Sequence, residues 1–254
     1  MIKAISTEKA ENKLPELCDI HQHIVFGVDD GAKDPEVSVA MLEECIRQNV
    51  TSVVCTSHID GNSTVESRLC YRHNFAELNR YTKEKELPIT LYQGSEVLYS
   101  EDTVDQLMNG IALPLGKSDC VMVEFHPLSS YDIIKSAVSM LYNEGYRPVI
   151  AHIERYNCLR DTERLSFLRN RYKVLTQMNA GTVVSAGKIF GSRFEKKAIR
   201  SGLVDMIGSD AHNLTTRRQN MNAAEKVLVR MVGSENARRM CCDTARAIIR
   251  KGTT

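Results

Sequence analysis

Within this 254-residue chain an alternation of two periodicities restricts the possible folds most tightly. Short apolar runs near residues 17–20, 52–56, 89–93, 120–124, 147–151, 174–178 and 204–208 read as strands. Stretches with helical spacing, near 67–86, 131–143, 161–171 and 193–201, separate most of them. A further helix opens at Asp34-Pro35, with Asp as cap and Pro in the first turn, and Val37, Met41, Cys45 and Ile46 form its apolar face. Strands that alternate with helices must pair in parallel through right-handed crossovers. Seven such units either close into a barrel or remain an open, doubly wound sheet. From about residue 215 to 252 the chain reads as two arginine-rich helices.

The residues at the strand ends decide between these architectures. His21 and His23 follow the first strand, His58 the second, His152 the fifth and His212 the last, while Glu96 and Glu124 follow the third and fourth and Asp210 stands two residues before His212. An open sheet concentrates its site at a switch point, whereas a closed ring gathers side chains from every strand at one end. The pattern therefore predicts a single α/β barrel. Taken singly, each signal is weak: a lone His-x-His is common, and a lone His58 or Glu124 is more often a turn residue or a salt-bridge partner. Jointly they are specific, because carboxylates buried together at a barrel mouth without a cation cost several kcal/mol each. Imidazole and carboxylate together suit borderline and hard divalent metals. Asp19 is expected to orient a ligand ring from behind. His73, in a charged helix, and His126, before Pro127, lack this setting and read as structural.

Composition excludes several classes. Lys and Arg number 33 against 32 acids, so no overall field favours nucleic acid or a membrane surface. No apolar run approaches the length of a membrane span, and residues 1–16 form a polar extension, which predicts a cytoplasmic protein without membrane insertion. The eight cysteines contain no C-x-x-C pair and read as buried free thiols in a reducing compartment. Cys158 to Arg164 has the spacing of a phosphate-cradling thiol loop. Its Asp161 and Glu163 would repel a dianion, however, and it has no glycine to aim backbone N–H groups at one.

The segments Asp19-Ile-His-Gln-His23-Ile, Gly27-Val-Asp-Asp-Gly-Ala32, Thr56-Ser-His58, Gly94-Ser-Glu96, Ala151-His-Ile-Glu-Arg-Tyr156 and Gly208-Ser-Asp-Ala-His-Asn213 together resemble the PHP (polymerase and histidinol phosphatase) superfamily. More narrowly, the chain is similar to the CpsB/YwqE type of bacterial protein-tyrosine phosphatase found in capsule and exopolysaccharide operons. The resemblance implies a distorted (β/α)7 barrel over residues 17–254, holding up to three divalent ions, commonly manganese, with magnesium, iron, cobalt or zinc as alternatives. It implies His21, His23, His58, Glu96, Glu124, His152, Asp210 and His212 as metal ligands, with Glu96 bridging two ions, and Arg155 and Arg217 as catalytic residues facing the phosphoryl group. The implied substrate is a phosphotyrosine protein, the tail of a bacterial tyrosine autokinase, attacked by metal-activated hydroxide. Oligomers are compatible with it.

Four residues depart from the family pattern: Ser57 and Ile59 around His58, and Val25 and Phe26 after the first motif. They are expected in loops at the mouth, where they bear on substrate preference. Three other functions share parts of the pattern. A PHP phosphatase for a small monoester such as histidinol phosphate would use the same ligands. An amidohydrolase would lack Glu96 and the two arginines. A non-catalytic, metal-bound binding module would show no turnover.

Overall fold

The computed structural model describes residues 16–188 and 191–250, so the polar extension, apart from Glu16, lies outside the described residues. Among the described residues, nine short strands make up seven staves. They are β1 (Leu17–Gln22), β2 (Val50–Cys55), β3 (His58–Ile59), β4 (Thr90–Gln93), β5 (Glu96–Leu98), β6 (Cys120–Glu124), β7 (Arg147–Ile150), β8 (Leu175–Asn179) and β9 (Met206–Gly208). β2 continues into β3 after a break at Thr56-Ser57, and β4 into β5 after a break at Gly94-Ser95. The second break needs glycine, because a Cβ at Gly94 would sit 2.8 Å from Val54 Cγ1.

All pairings are parallel, in the orders β1-β2-β4 and β3-β5-β6-β7-β8-β9. The ring closes at its carboxyl end, where Gln22 of β1 bridges Ala211 just beyond β9. The result is the expected seven-stranded α/β barrel, distorted because the sheet is curled and because, among the described residues, its first and last staves meet through an isolated bridge and a few hydrogen bonds at the carboxyl end and not through a continuous ladder.

The helices follow the predicted alternation. Helix α1 (Pro35–Arg47) is capped by Asp34, whose Oδ1 accepts from Val37 N at 2.8 Å. It buries Met41, Leu42 and Cys45, with Val37 and Ile46 only partly covered. Next come α2 (Val65–Glu84), a short α3 (Thr103–Met108), α4 (Tyr131–Asn143), α5 (Thr162–Tyr172), a short α6 (Ala180–Ala186) and α7 (Arg193–Arg200). The short α3 and α6 have too few turns to show a period, and the sequence does not announce them. The C-terminal region is α8 (Met221–Arg238), a π-helical turn at Arg239–Asp243 and α9 (Thr244–Arg250), with Gly233 at φ 83° kinking α8.

Two apolar clusters result, and the smaller one explains why the chemistry sits at one end. Cys18, Ile20, Val54, Met122, Val149, Ala151, Leu175 and Met206 line the inside of the ring. Cys242, Ala245, Ile248 and Ile249 of the C-terminal helices join them and stopper the amino-terminal end. Full burial of an isoleucine side chain is worth roughly 1.5 to 3 kcal/mol, so Ile248 and Ile249 are substantial contributors. With that end filled by apolar side chains, the polar side chains inside the ring collect at the carboxyl end.

Candidate metal centre

Local backbone irregularities aim the histidines. In β1, Asp19 pairs with Val53 and Gln22 with Cys55, three steps against two, which marks a bulge. Before it, Cys18 and Ile20 point into the barrel. After it the parity changes: Gln22 reaches outward to Cys45 of α1, while His21 and His23 turn inward to Glu96. Strand β6 needs no such device, since Cys120, Met122 and Glu124 alternate regularly. His152 and Asp210 lie just past their strands at φ 30° and 53°, left-handed conformations that are costly without glycine and recur at functional sites.

The structure brings all eight predicted ligands together around the buried carboxylate of Glu96. Its Oε2 lies 3.0 Å from His21 Nε2, 3.2 Å from His23 Nε2 and 3.3 Å from His58 Nδ1, and its Oε1 lies 2.8 Å from His152 Nε2. Three overlapping donor groups follow: His21, His23, Glu96 and Asp210; His23, Asp30, His58 and His212; and His58, Glu96 and Glu124. His152 joins through Glu96 and, at 3.4 Å, through Glu124.

The arrangement suits cations. His21 Nε2 and His23 Nε2 face each other at 3.2 Å, with Glu96 Oε2 between them making no well-formed hydrogen bond, and His212 Nε2 is likewise buried without one. Ring nitrogens and a carboxylate oxygen crowded together in this way are held by a proton or a cation in their midst. Protons supply part of this positive charge. Burial alone would lower the His23 imidazole, but Asp29 and Glu96 carry it up to about 10. His152, depressed by burial, is likewise carried up to about 9 by Glu124 and Glu96. Burial opposes ionisation of Glu124, yet His152 and His58 hold it down at about 2. His212 falls to about 4, through burial and the charges of His23 and Arg217.

Both predicted arginines converge on Asp210. Arg155 Nη2 donates to Oδ2 at 2.7 Å and Arg217 Nη2 to Oδ1 at 2.9 Å, while Arg217 Nη1 reaches Asp30 at 3.2 Å. Each guanidinium is partly exposed at the mouth. Asp19, in contrast, does not orient a ring. It accepts from the backbone N–H of Ser209 (2.8 Å) and His21 (3.2 Å) and from the Gln219 side chain (2.8 Å), tying β1 to β9 from the outer side of the bulge.

The orienting carboxylate is Asp29, which the sequence reading passed over. It holds His23 Nδ1 at 2.9 Å and is itself fixed by the N–H groups of Gly31 and His58. Asp30 was also missed as a cluster member. The signal for both was an Asp pair in a glycine-bracketed loop directly after the first strand. Tyr156, whose hydroxyl lies 3.2 Å from His152 Nδ1, and Gln177 and Asn179 from β8 complete the site. His73 and His126 are exposed and outside the cluster, and burial raises the Cys158 thiol instead of activating it.

Beside His58 and Glu124 opens a cavity of about 450 Å³, lined also by Val28, Asp30, Ile59, Asp60, Ser63 and Leu98. Of the departing residues, Ile59 lines this cavity and Ser57 is buried, whereas Val25 is buried in the outer core, away from the expected mouth loop, with Phe26 packed against that core.

The family model for capsular polysaccharide synthesis proteins, CpsB/CapC, matches residues 17–250. The chain belongs to the CpsB/CapC family. The tyrosine-protein phosphatase CpsB of Streptococcus pneumoniae is 34% identical over 241 residues, covering 92% of this chain and 98% of that relative. The tyrosine-protein phosphatase YwqE of Bacillus subtilis is 26% identical over 226 residues, covering 86% of each. A crystal structure from work on YwqE and CpsB, described as metal-dependent tyrosine phosphatases, superposes with a TM-score of 0.80 at 26% identity over 92% of this chain and 94% of that one. Among the described residues of this CpsB/CapC member, no helix is long and apolar enough to cross a membrane.

Proposed function

We propose that this chain hydrolyses phosphotyrosine on a protein, with up to three divalent ions, manganese in the first instance, held by His21, His23, His58, Glu96, Glu124, His152, Asp210 and His212. The observation that carries the reading is the convergence of three overlapping donor groups and two arginines at one mouth. Bound ions would neutralise phosphate oxygens and supply a nucleophile by lowering the pKa of water.

The side chains do the rest. Arg155 and Arg217 are permanent, bidentate donors partly open to solvent, so a phosphoryl group can take up N–H groups they now direct at Asp210. As charge grows on the equatorial oxygens these donors stabilise it. An amidohydrolase has no need of such a pair. The cavity beside Glu124 offers Val28, Ile59 and Leu98 to the phenyl ring. A tyrosyl phenolate leaves tolerably well unprotonated, so no side chain is assigned as proton donor. The tail of a tyrosine autokinase serving capsule or exopolysaccharide synthesis in the cytoplasm is the substrate we favour, in keeping with the names of the relatives.

The test is to strip ions with a chelator, restore them singly, and assay a phosphotyrosine peptide against histidinol phosphate. Peptide turnover restored by manganese supports the proposal, and a preference for histidinol phosphate moves the assignment to a small monoester. Arg155→Ala should lose turnover about 10²- to 10³-fold with bound ions retained, and His21→Gln should lose an ion as well. Activity abolished by thiol alkylation but untouched by chelation would refute the mechanism.

A further inference from the structure

Strand β8 supplies none of the eight candidate ligands, yet it sends the fully buried Gln177 into the middle of them. Gln177 Oε1 lies 2.7 Å from the backbone N–H of His152 and 3.2 Å from His21 Nδ1. Its Nε2 donates to Asn179 Oδ1 at 2.9 Å, and Asn179 Nδ2 donates to Asp210 Oδ2 at 2.7 Å.

The ends of this chain of bonds fix its direction. A backbone N–H can only donate, so the Gln177 atom facing His152 must be the oxygen. The Asp210 carboxylate can only accept, so the Asn179 atom facing it must be the nitrogen. Both amides between are thereby locked in one orientation, with the Gln177 nitrogen toward the Asn179 oxygen. One consequence reaches the centre of the cluster: His21 Nδ1, facing an oxygen already engaged as acceptor, must carry the proton. Its Nε2 is then left free toward Glu96 Oε2 and His23 Nε2.

From this geometry we infer that Gln177 is a positioning residue that sets the tautomer of His21, pins the left-handed backbone of His152 and, through Asn179, orients Asp210. Its effect on manganese binding rests on the metallophosphatase reading, whereas the His21 tautomer rests on the hydrogen-bond geometry alone. His23 receives the same service from a carboxylate, Asp29. At His21 a neutral amide does the work, accepting at its oxygen and donating onward from its nitrogen, which a carboxylate cannot do.

The polarity makes two substitutions diverge. Gln177→Leu removes both functions, whereas the near-isosteric Gln177→Glu keeps the acceptor for His21 and His152 but removes the donor to Asn179. Asn179 would then reverse and turn its oxygen toward Asp210.

The test combines ring-nitrogen NMR of His21, in ion-free and zinc-loaded protein, with manganese titration followed by electron paramagnetic resonance. In the wild type the His21 proton should reside on Nδ1. Gln177→Leu should lose that signal and bind manganese about 10- to 100-fold more weakly. Gln177→Glu should keep the Nδ1 signal and still lose manganese affinity, a combination that a packing role would not produce. A proton on Nε2 in the zinc-loaded wild type, or manganese affinity in Gln177→Glu equal to wild type, would overturn the inference. Wild-type protein with the Nδ1 signal but no phosphotyrosine turnover would overturn the phosphatase reading alone.

Discussion

Gly208 is where the barrel seam meets the metal centre, and substituting it tests both together. A Cβ built there would lie 2.6 Å from His21 Cβ and 3.2 Å from Gln177 Nε2. Carbon atoms in contact prefer roughly 3.5 to 4.0 Å, so Gly208→Ala must open the seam by about 1 Å at the bulge that aims His21. The backbone at Gly208 is not left-handed, so the penalty is steric and not conformational. Overpacking of this kind costs about 1 to 3 kcal/mol, and a reacting group misplaced by about 1 Å can cost about 10²-fold in rate. We therefore expect Gly208→Ala to lower the urea midpoint, weaken manganese binding and reduce turnover by one to two orders of magnitude on the scale of that estimate. Gly181→Ala in α6, whose nearest neighbour would be 3.7 Å away, serves as the control and should be neutral or stabilising. Wild-type stability and turnover in Gly208→Ala would refute the claim that β1 and β9 are locked together at this point.

Other expectations address the stopper, the thiols and the protons of the cluster. Ile249→Ala should destabilise the fold by roughly 2 to 5 kcal/mol while leaving turnover per folded molecule intact; the reverse pattern in denaturation and kinetic assays would contradict the stopper's placement. Iodoacetamide at pH 8 should modify the exposed Cys70 first and leave activity unchanged, because burial lifts Cys45 to about 12 and Cys120 to about 11. Peptide mapping locates the label, and a parallel loss of turnover would reopen thiol catalysis. In the ion-free protein His23 and His152 sit at about 10 and 9, above the ordinary imidazole value near 6.5, so their stabilisation is full below about pH 6.5 and disappears as pH rises through 9 to 10. Manganese must displace these protons, so calorimetry in buffers of different ionisation enthalpy should show proton release at pH 7.5, with affinity rising toward pH 9. Buffer-independent heats would contradict this.

The sequence alone determined the alternation, the parallel pairing and the convergence of the eight candidate ligands, because each depends on a short-range pattern: an apolar run, a capped helix, an imidazole or acid just beyond. The boundaries of α4 and β6 were legible for the same reason. Tertiary structure alone decided which way each side chain points. The bulge that turns His21 inward is a mismatch of register between β1 and β2, invisible within either strand. It also moved Asp19 away from the ring it was expected to orient and left that role to Asp29, twenty-nine residues before the His58 N–H that helps hold it. Gln177 and Asn179 looked like ordinary polar residues on a strand until the closed ring set them against His21 and Asp210. Hydrogen-bond direction belongs to pairs of groups, and only the fold decides which groups are paired.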